Sequence, residues 1–74
     1  MEDTIQLLEV VALTVDIPEH NLRRGQVGTV VDFLGGGRAM EVEFCDRNGR
    51  TYASLGLRAD QVMVLRYEPQ LRSA

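Results

Sequence analysis

Residues 27–45 read VGTVVDFLGGGRAMEVEFC. In the second half, Met40, Val42 and Phe44 alternate with Glu41 and Glu43, the period-two pattern of a strand with one face on a core and the other in water. The preceding triplet Gly35-Gly36-Gly37 adopts positive φ without steric cost and reads as a hairpin turn. Upstream, Val27, Val30, Val31 and Phe33 form another β-rich run, but Val27, Val31 and Phe33 share a parity that Val30 breaks. Gly28 is the expected place for a bulge or sharp twist that resets the phase. The centre of the molecule is thus a hairpin of two half-buried antiparallel strands.

Downstream, Asp46-Arg47-Asn48-Gly49 is a second turn, with Asn-Gly where a left-handed pair is wanted. Arg50 to Leu55 then form a strand whose inward set is Thr51, Ala53 and Leu55, with Tyr52 outside or at an edge. Leu57 to Gln61 suit a single 3-10 turn, and Val62 to Leu65 a last short strand. Upstream, the apolar odd positions Leu7, Val11, Leu13, Val15 and Ile17 indicate a first strand over about Glu9 to Val15. Residues 3–9 alone equally suit a helical turn capped by Asp3 or Thr4. Pro18 cannot donate to a ladder and ends the strand. Five short strands, the loop 16–25, two tight hairpins and a one-turn helix before the last strand predict an all-β protein. The expected architecture is a small five-stranded SH3-like barrel, because closure hides the strand edges.

Seventy-four residues make one domain, with a core over about 8–66 and a tail over 67–74. A chain this short buries only about 60% of its extended-chain surface. Cys45 has no partner for a disulfide, and His20 is the only imidazole, so neither a zinc set nor any other metal or cofactor is expected. The N-terminus is acidic instead of basic, and no apolar run approaches the roughly 20 residues that span a membrane; a cytoplasmic location without membrane attachment is the expectation. The net charge of −3 argues against nucleic acid as the main partner. All eight cationic residues are Arg, the better residue for bidentate pairing with carboxylates.

The run DIPEHNLRRGQVGTVVDFLGGGRAMEVEFCDRNGRTYASLGLRADQV resembles a family of very short, uncharacterised bacterial proteins, common in cyanobacteria. Its members share a D-I-P-E-H-x-L-R-R-G-x-V-G-T-V-V segment, an E-V-E-F strand and a T-Y-A…L-R-A-D-Q ending, and the similarity covers about residues 10–65. More distantly, Gly25 to Val31 is similar to the G-x-x-G-x-V opening of KOW-type and nitrile-hydratase-β-like SH3 barrels. The resemblance implies the fold and no activity. It suggests an accessory or neutralising partner of a neighbouring gene's product.

The loop 16–25 concentrates the polar residues that invite a role. His20 beside Glu19 and Asp16 has the chemistry of an acid-base pair. Yet adjacent loop residues point different ways, and neither a nucleophile nor a second histidine accompanies them; no enzyme is expected. Leu22, the lone apolar residue between Asn21 and Arg23, is expected to fold under the loop and close one end of the core. Arg23 and Arg24 are candidate carboxylate or phosphate contacts, and pairing with Asp16, Glu19 or Asp32 explains them within the chain. Gly25 and Gly28 are read as backbone requirements, since no strand-to-helix phosphate cradle follows them. Glu41, Glu43, Asp46 and Glu9 form a candidate acidic stripe that also guards an edge against pairing. Cys45, at a strand end, is not expected to be reactive. Tyr52 and Tyr67 are too few for an aromatic-lined proline-peptide groove.

Loops on rigid frames are where binding concentrates. The expected function is therefore a non-enzymatic protein-interaction module whose partner-binding residues are Glu19, His20, Asn21, Arg23 and Arg24. The alternatives are a KOW-like barrel associated with RNA or the ribosome, and a homo-oligomer built through an exposed strand.

Overall fold

The computed structural model describes residues 4–69; Asp3, one of the two proposed helix caps, and residues 70–74 of the expected tail lie outside them. Five antiparallel strands form one sheet: β1 (Val10–Leu13), β2 (Val27–Leu34), β3 (Ala39–Cys45), β4 (Thr51–Arg58) and β5 (Val62–Val64). Their spatial order is β4-β3-β2-β1-β5. This is the expected all-β, barrel-like arrangement, with single 3-10 turns over Pro18–His20, Gly35–Gly37 and Ala59–Gln61. The core is Val11 and Leu13 of β1, Val30 of β2, Met40, Val42 and Phe44 of β3, Leu57 and Val62, closed by Ile17 and Leu22 from the first loop.

The central hairpin is as expected, but its bulge is elsewhere. Gly28 pairs with Phe44 in regular register, and the shift lies between Val30/Val42 and Asp32/Glu41, leaving Val31 as the extra residue. Val30 and Phe33 are three positions apart, whereas their partners Val42 and Met40 are two apart, so one residue must be left over between them. The core therefore takes Val30, while Val27 faces out and is 45% exposed. Gly28 has a different cause: a Cβ there would lie 2.7 Å from Val42 Cγ1 and 3.0 Å from both Glu43 O and Phe44 Cδ2. Its missing side chain is the space that the β3 side chains fill.

A second phase shift changes β4. Phe44 pairs with Ala53 and Cys45 with Thr51, so Tyr52 is the extra residue. Thr51 consequently faces out beside Cys45, with Sγ and Oγ1 3.5 Å apart, and the inward set is Ala53, Leu55 and Leu57, opposite Phe44, Val42 and Met40. Leu57 and Arg58 extend the strand, and the 3-10 turn begins only at Ala59. In the turn before β4, Gly49 has φ 80° while Asn48 is not left-handed. Asp46 Oδ1 accepts the backbone N–H groups of Asn48 (2.8 Å) and Arg50 (3.0 Å), so the connection over residues 46–50 is tied by one aspartate and needs one left-handed glycine.

β1 is shorter than the expected Glu9–Val15: it stops at Leu13, because Thr14 N–H turns to Gln61 O (2.9 Å). Val15 is exposed, and Ile17 reaches the core from the loop instead of the strand. Before β1, Glu9 N–H donates to Gln6 O and Gln6 N–H to Glu9 Oε1, so this stretch is a turn. Leu65 lies beyond β5 yet donates its N–H to Val10 O at 3.0 Å.

Candidate functional site

The first loop is a tied structure. Pro18 fixes φ at the start of a single 3-10 turn over Pro18–His20, and Asn21 ends it in the left-handed conformation (φ 57°, ψ 36°) with its N–H on Pro18 O, a conformation asparagine tolerates. On either side, Ile17 and Leu22 exchange both backbone hydrogen bonds, at 2.9 and 3.1 Å. That bridge aims both side chains inward, where Leu22 is 1% exposed. The expected plug is therefore present, with Ile17 as its partner.

The second half of the loop is held by side chains that bond backbone. Asp16 Oδ1 accepts Arg24 N–H at 2.8 Å, and Gln26 Oε1 accepts Arg23 N–H at 2.5 Å. Gly25, at φ 95°, donates to Leu13 O (2.8 Å), while Leu13 N–H returns to Gln26 O (2.9 Å), joining the loop's exit to the end of β1. Only glycine adopts that φ without strain.

These ties leave Glu19, His20, Asn21, Arg23 and Arg24 exposed on one short knuckle. The pairing considered for the arginines differs from what is found. The Asp16 carboxylate is engaged by the Arg24 backbone, and among the described residues neither guanidinium makes a hydrogen bond or an ion pair. The residues nearest His20 do not form an acid-base pair with it: no hydrogen bond joins its ring to Glu19 or Asp16 among the described residues. Between Asp16, Pro18, Asn21, Leu22 and Arg23 lies a shallow depression of about 340 Å³. A larger apolar hollow of about 520 Å³ lies beyond the far end of β2, against Ile5, Leu7, Phe33 and Met40; among the described residues it has no titratable side chain in its lining and includes none of the loop residues.

One residue of this surface, Gln26, was not singled out from the sequence, and Tyr52 was weighed there only as an edge or groove aromatic. Gln26 spans the loop and β4: besides holding Arg23, its Nε2 donates to Tyr52 Oη at 3.0 Å. The Tyr52 ring, half exposed, leans on Phe44 with centroids 6.3 Å apart and planes at 40°. The Gln26–Tyr52 hydrogen bond joins positions 26 residues apart, and no local pattern announces it. The proposed acidic stripe divides in the same way. Glu41 and Glu43 lie outward on β3, with Glu41 Oε2 accepting Ser54 Oγ at 2.6 Å, whereas Asp46 and Glu9 are occupied in turns.

Removing the Asp16 carboxylate tests how firmly the knuckle is held. Asp16→Ala leaves Arg24 N–H without its acceptor and is expected to cost about 1 kcal/mol, read as a lowered denaturant midpoint with unchanged slope. Amide exchange at residues 23–25 is expected to speed up in parallel; unchanged exchange would mean the carboxylate does not order the loop.

Comparison with known proteins places residues 7–64 in the match to one family model, described as Domain of unknown function (DUF4926). Neither the curated proteins nor the solved structures contain a match.

Proposed function

Because the chain belongs to this family of domains of unknown function, we propose from its own surface that it is a non-enzymatic protein-interaction module, and that its partner is recognised by Glu19, His20, Asn21, Arg23 and Arg24. One observation carries the reading: two guanidiniums without partners among the described residues stand on a loop whose backbone is held by the Ile17–Leu22 bridge, Asp16 and Gln26. Unpaired arginine offers a planar, bidentate donor to a carboxylate. A loop already ordered loses little further entropy when a partner docks, which is the physical meaning of preorganisation. The proposed partner is a protein, consistent with an accessory or neutralising role.

The test compares wild type with Arg23→Glu, Arg24→Glu as baits in a native lysate. Both side chains are exposed, so the double variant should keep its stability within about 0.5 kcal/mol while losing the captured protein. Identical captured proteins from the two baits would remove the loop from the interface. The RNA-associated alternative makes an opposite forecast, retention of RNA on filters at low salt that falls steeply as salt is raised.

A further inference from the structure

We propose that the open edge of β4 and the arginines clustered at its beginning form a single recognition surface, which takes an extended acidic segment of a partner protein by strand addition. The inference rests on the interaction-module reading and names the chemistry of the partner.

The edge comes first. Among the described residues β4 ends the sheet order and pairs only with β3. Among the described residues its outward backbone groups have no hydrogen-bond partner, apart from Arg58 N–H, which donates to Gln61 Oε1. At eight residues β4 matches β2 for length, whereas the opposite edge, β5, has three. Thr51 to Leu57 contain neither proline nor charge, so from Ala53 to Leu57, beyond the bulge at Tyr52, the usual devices that block pairing are missing. Such an edge is a template for an added strand, in which main-chain hydrogen bonds supply affinity and alternating side chains supply specificity.

Charge then selects the occupant. Gly28 pairs with Phe44 and Cys45 with Thr51, so the loop entering β2 and the turn leaving β3 project from the same end of the ladder. That end carries Arg23, Arg24, Arg47 and Arg50, all exposed and without an ion pair among the described residues. The nearby carboxylates of Asp16 and Asp46 are turned to backbone N–H groups. The Gln26–Tyr52 hydrogen bond physically joins the loop to the first turn of the edge strand. A segment lying along β4 therefore meets guanidiniums where it passes Tyr52, and a carboxylate in that part of the segment is the complementary group.

A second copy of the chain fits less well. Two β4 strands related by a twofold axis run antiparallel, and in full overlap this sets Arg58 of one against Thr51 and Arg50 of the other at both ends. Arg58 is offset by Asp60 at 3.0 Å, but that pair is largely exposed and weak, and among the described residues the Arg50 guanidinium makes no ion pair. Like charges at both ends disfavour self-pairing, while an acidic strand meets no such opposition.

The experiment is a selection of randomised 12-residue peptides displayed on phage against the intact chain, followed by amide-resolved hydrogen exchange with the best peptide. Selected sequences should carry acidic residues toward one end of an otherwise β-prone segment. Bound peptide should slow exchange of outward β4 amides by about tenfold or more, and Arg47→Glu, Arg50→Glu should weaken binding by about tenfold. Peptides without an acidic consensus, or failure to select any, would overturn the inference. Protection confined to residues 16–26 would overturn it as well, yet leave the interaction-module reading standing. A concentration-dependent dimer that protects β4 without peptide would assign the edge to a second copy instead.

Discussion

Leu22→Ala is expected to destabilise the chain by about 3 kcal/mol, within the range for truncating a buried leucine. Leu22 is among the largest fully buried side chains, although it belongs to a loop. In the variant, the cavity opens beneath the bridge with Ile17, where one 3-10 turn and a left-handed asparagine offer little freedom to collapse. For a domain of this size the loss corresponds to a fall in melting temperature of about 15 °C, followed by circular dichroism. Leu22→Met, which roughly conserves volume, should cost less than about 1.5 kcal/mol. The effect extends to recognition, since the backbone that presents Arg23 and Arg24 starts at this anchor. If Leu22→Ala costs less than about 1 kcal/mol, the loop is held by its hydrogen bonds alone.

Gly28→Ala is the second large effect, expected at about 2 kcal/mol for one added methyl group. The new Cβ meets Val42 Cγ1 at 2.7 Å and two further β3 atoms at 3.0 Å, and neither Val42 nor Phe44 has any exposed surface toward which to move. Backbone conformation is not the cause, because Gly28 is absent from the positive-φ glycines. A double-mutant cycle separates the two explanations. Val42→Ala removes the nearest clashing atom, so Gly28→Ala, Val42→Ala should be less destabilised than the sum of the single variants by about 1 kcal/mol. Additive losses would place the cost in the backbone.

The same glycine shows where reading the sequence succeeds and where it stops. A phase reset between Val27 and Phe33 is visible from parity alone, since the apolar positions cannot all face one core. Its location depends on the partner strand. Only when Val30 is set opposite Val42 and Phe33 opposite Met40 does Val31 become the residue left over, and Gly28 is then needed for the space it leaves instead of for a bend. Thr51 fails for a related reason: its alternation with Ala53 is regular in the sequence, but the unpaired Tyr52 turns it outward.

The loop divides along the same line. A lone leucine among charged residues is enough to expect burial, because solvent exposure would gain nothing from it. What Asp16 and Gln26 do is not readable locally, since one bonds a backbone group eight positions away and the other reaches β4. Without those contacts, pairing Asp16 with the arginine side chains is the natural assumption; with them, the guanidiniums stand unpaired among the described residues.

The amino-acid sequence by itself determined the five-stranded, all-β arrangement, its turns, most of its core and the set of exposed loop residues, because alternation, glycine and proline act over a few neighbouring positions. Tertiary structure alone decided the positions of the bulges, the partners of Asp16 and Gln26, the place of β4 at the end of the sheet order and the gathering of four arginines at one end of the sheet. These depend on strand register and on contacts between distant positions, where a shift of one residue reverses every face.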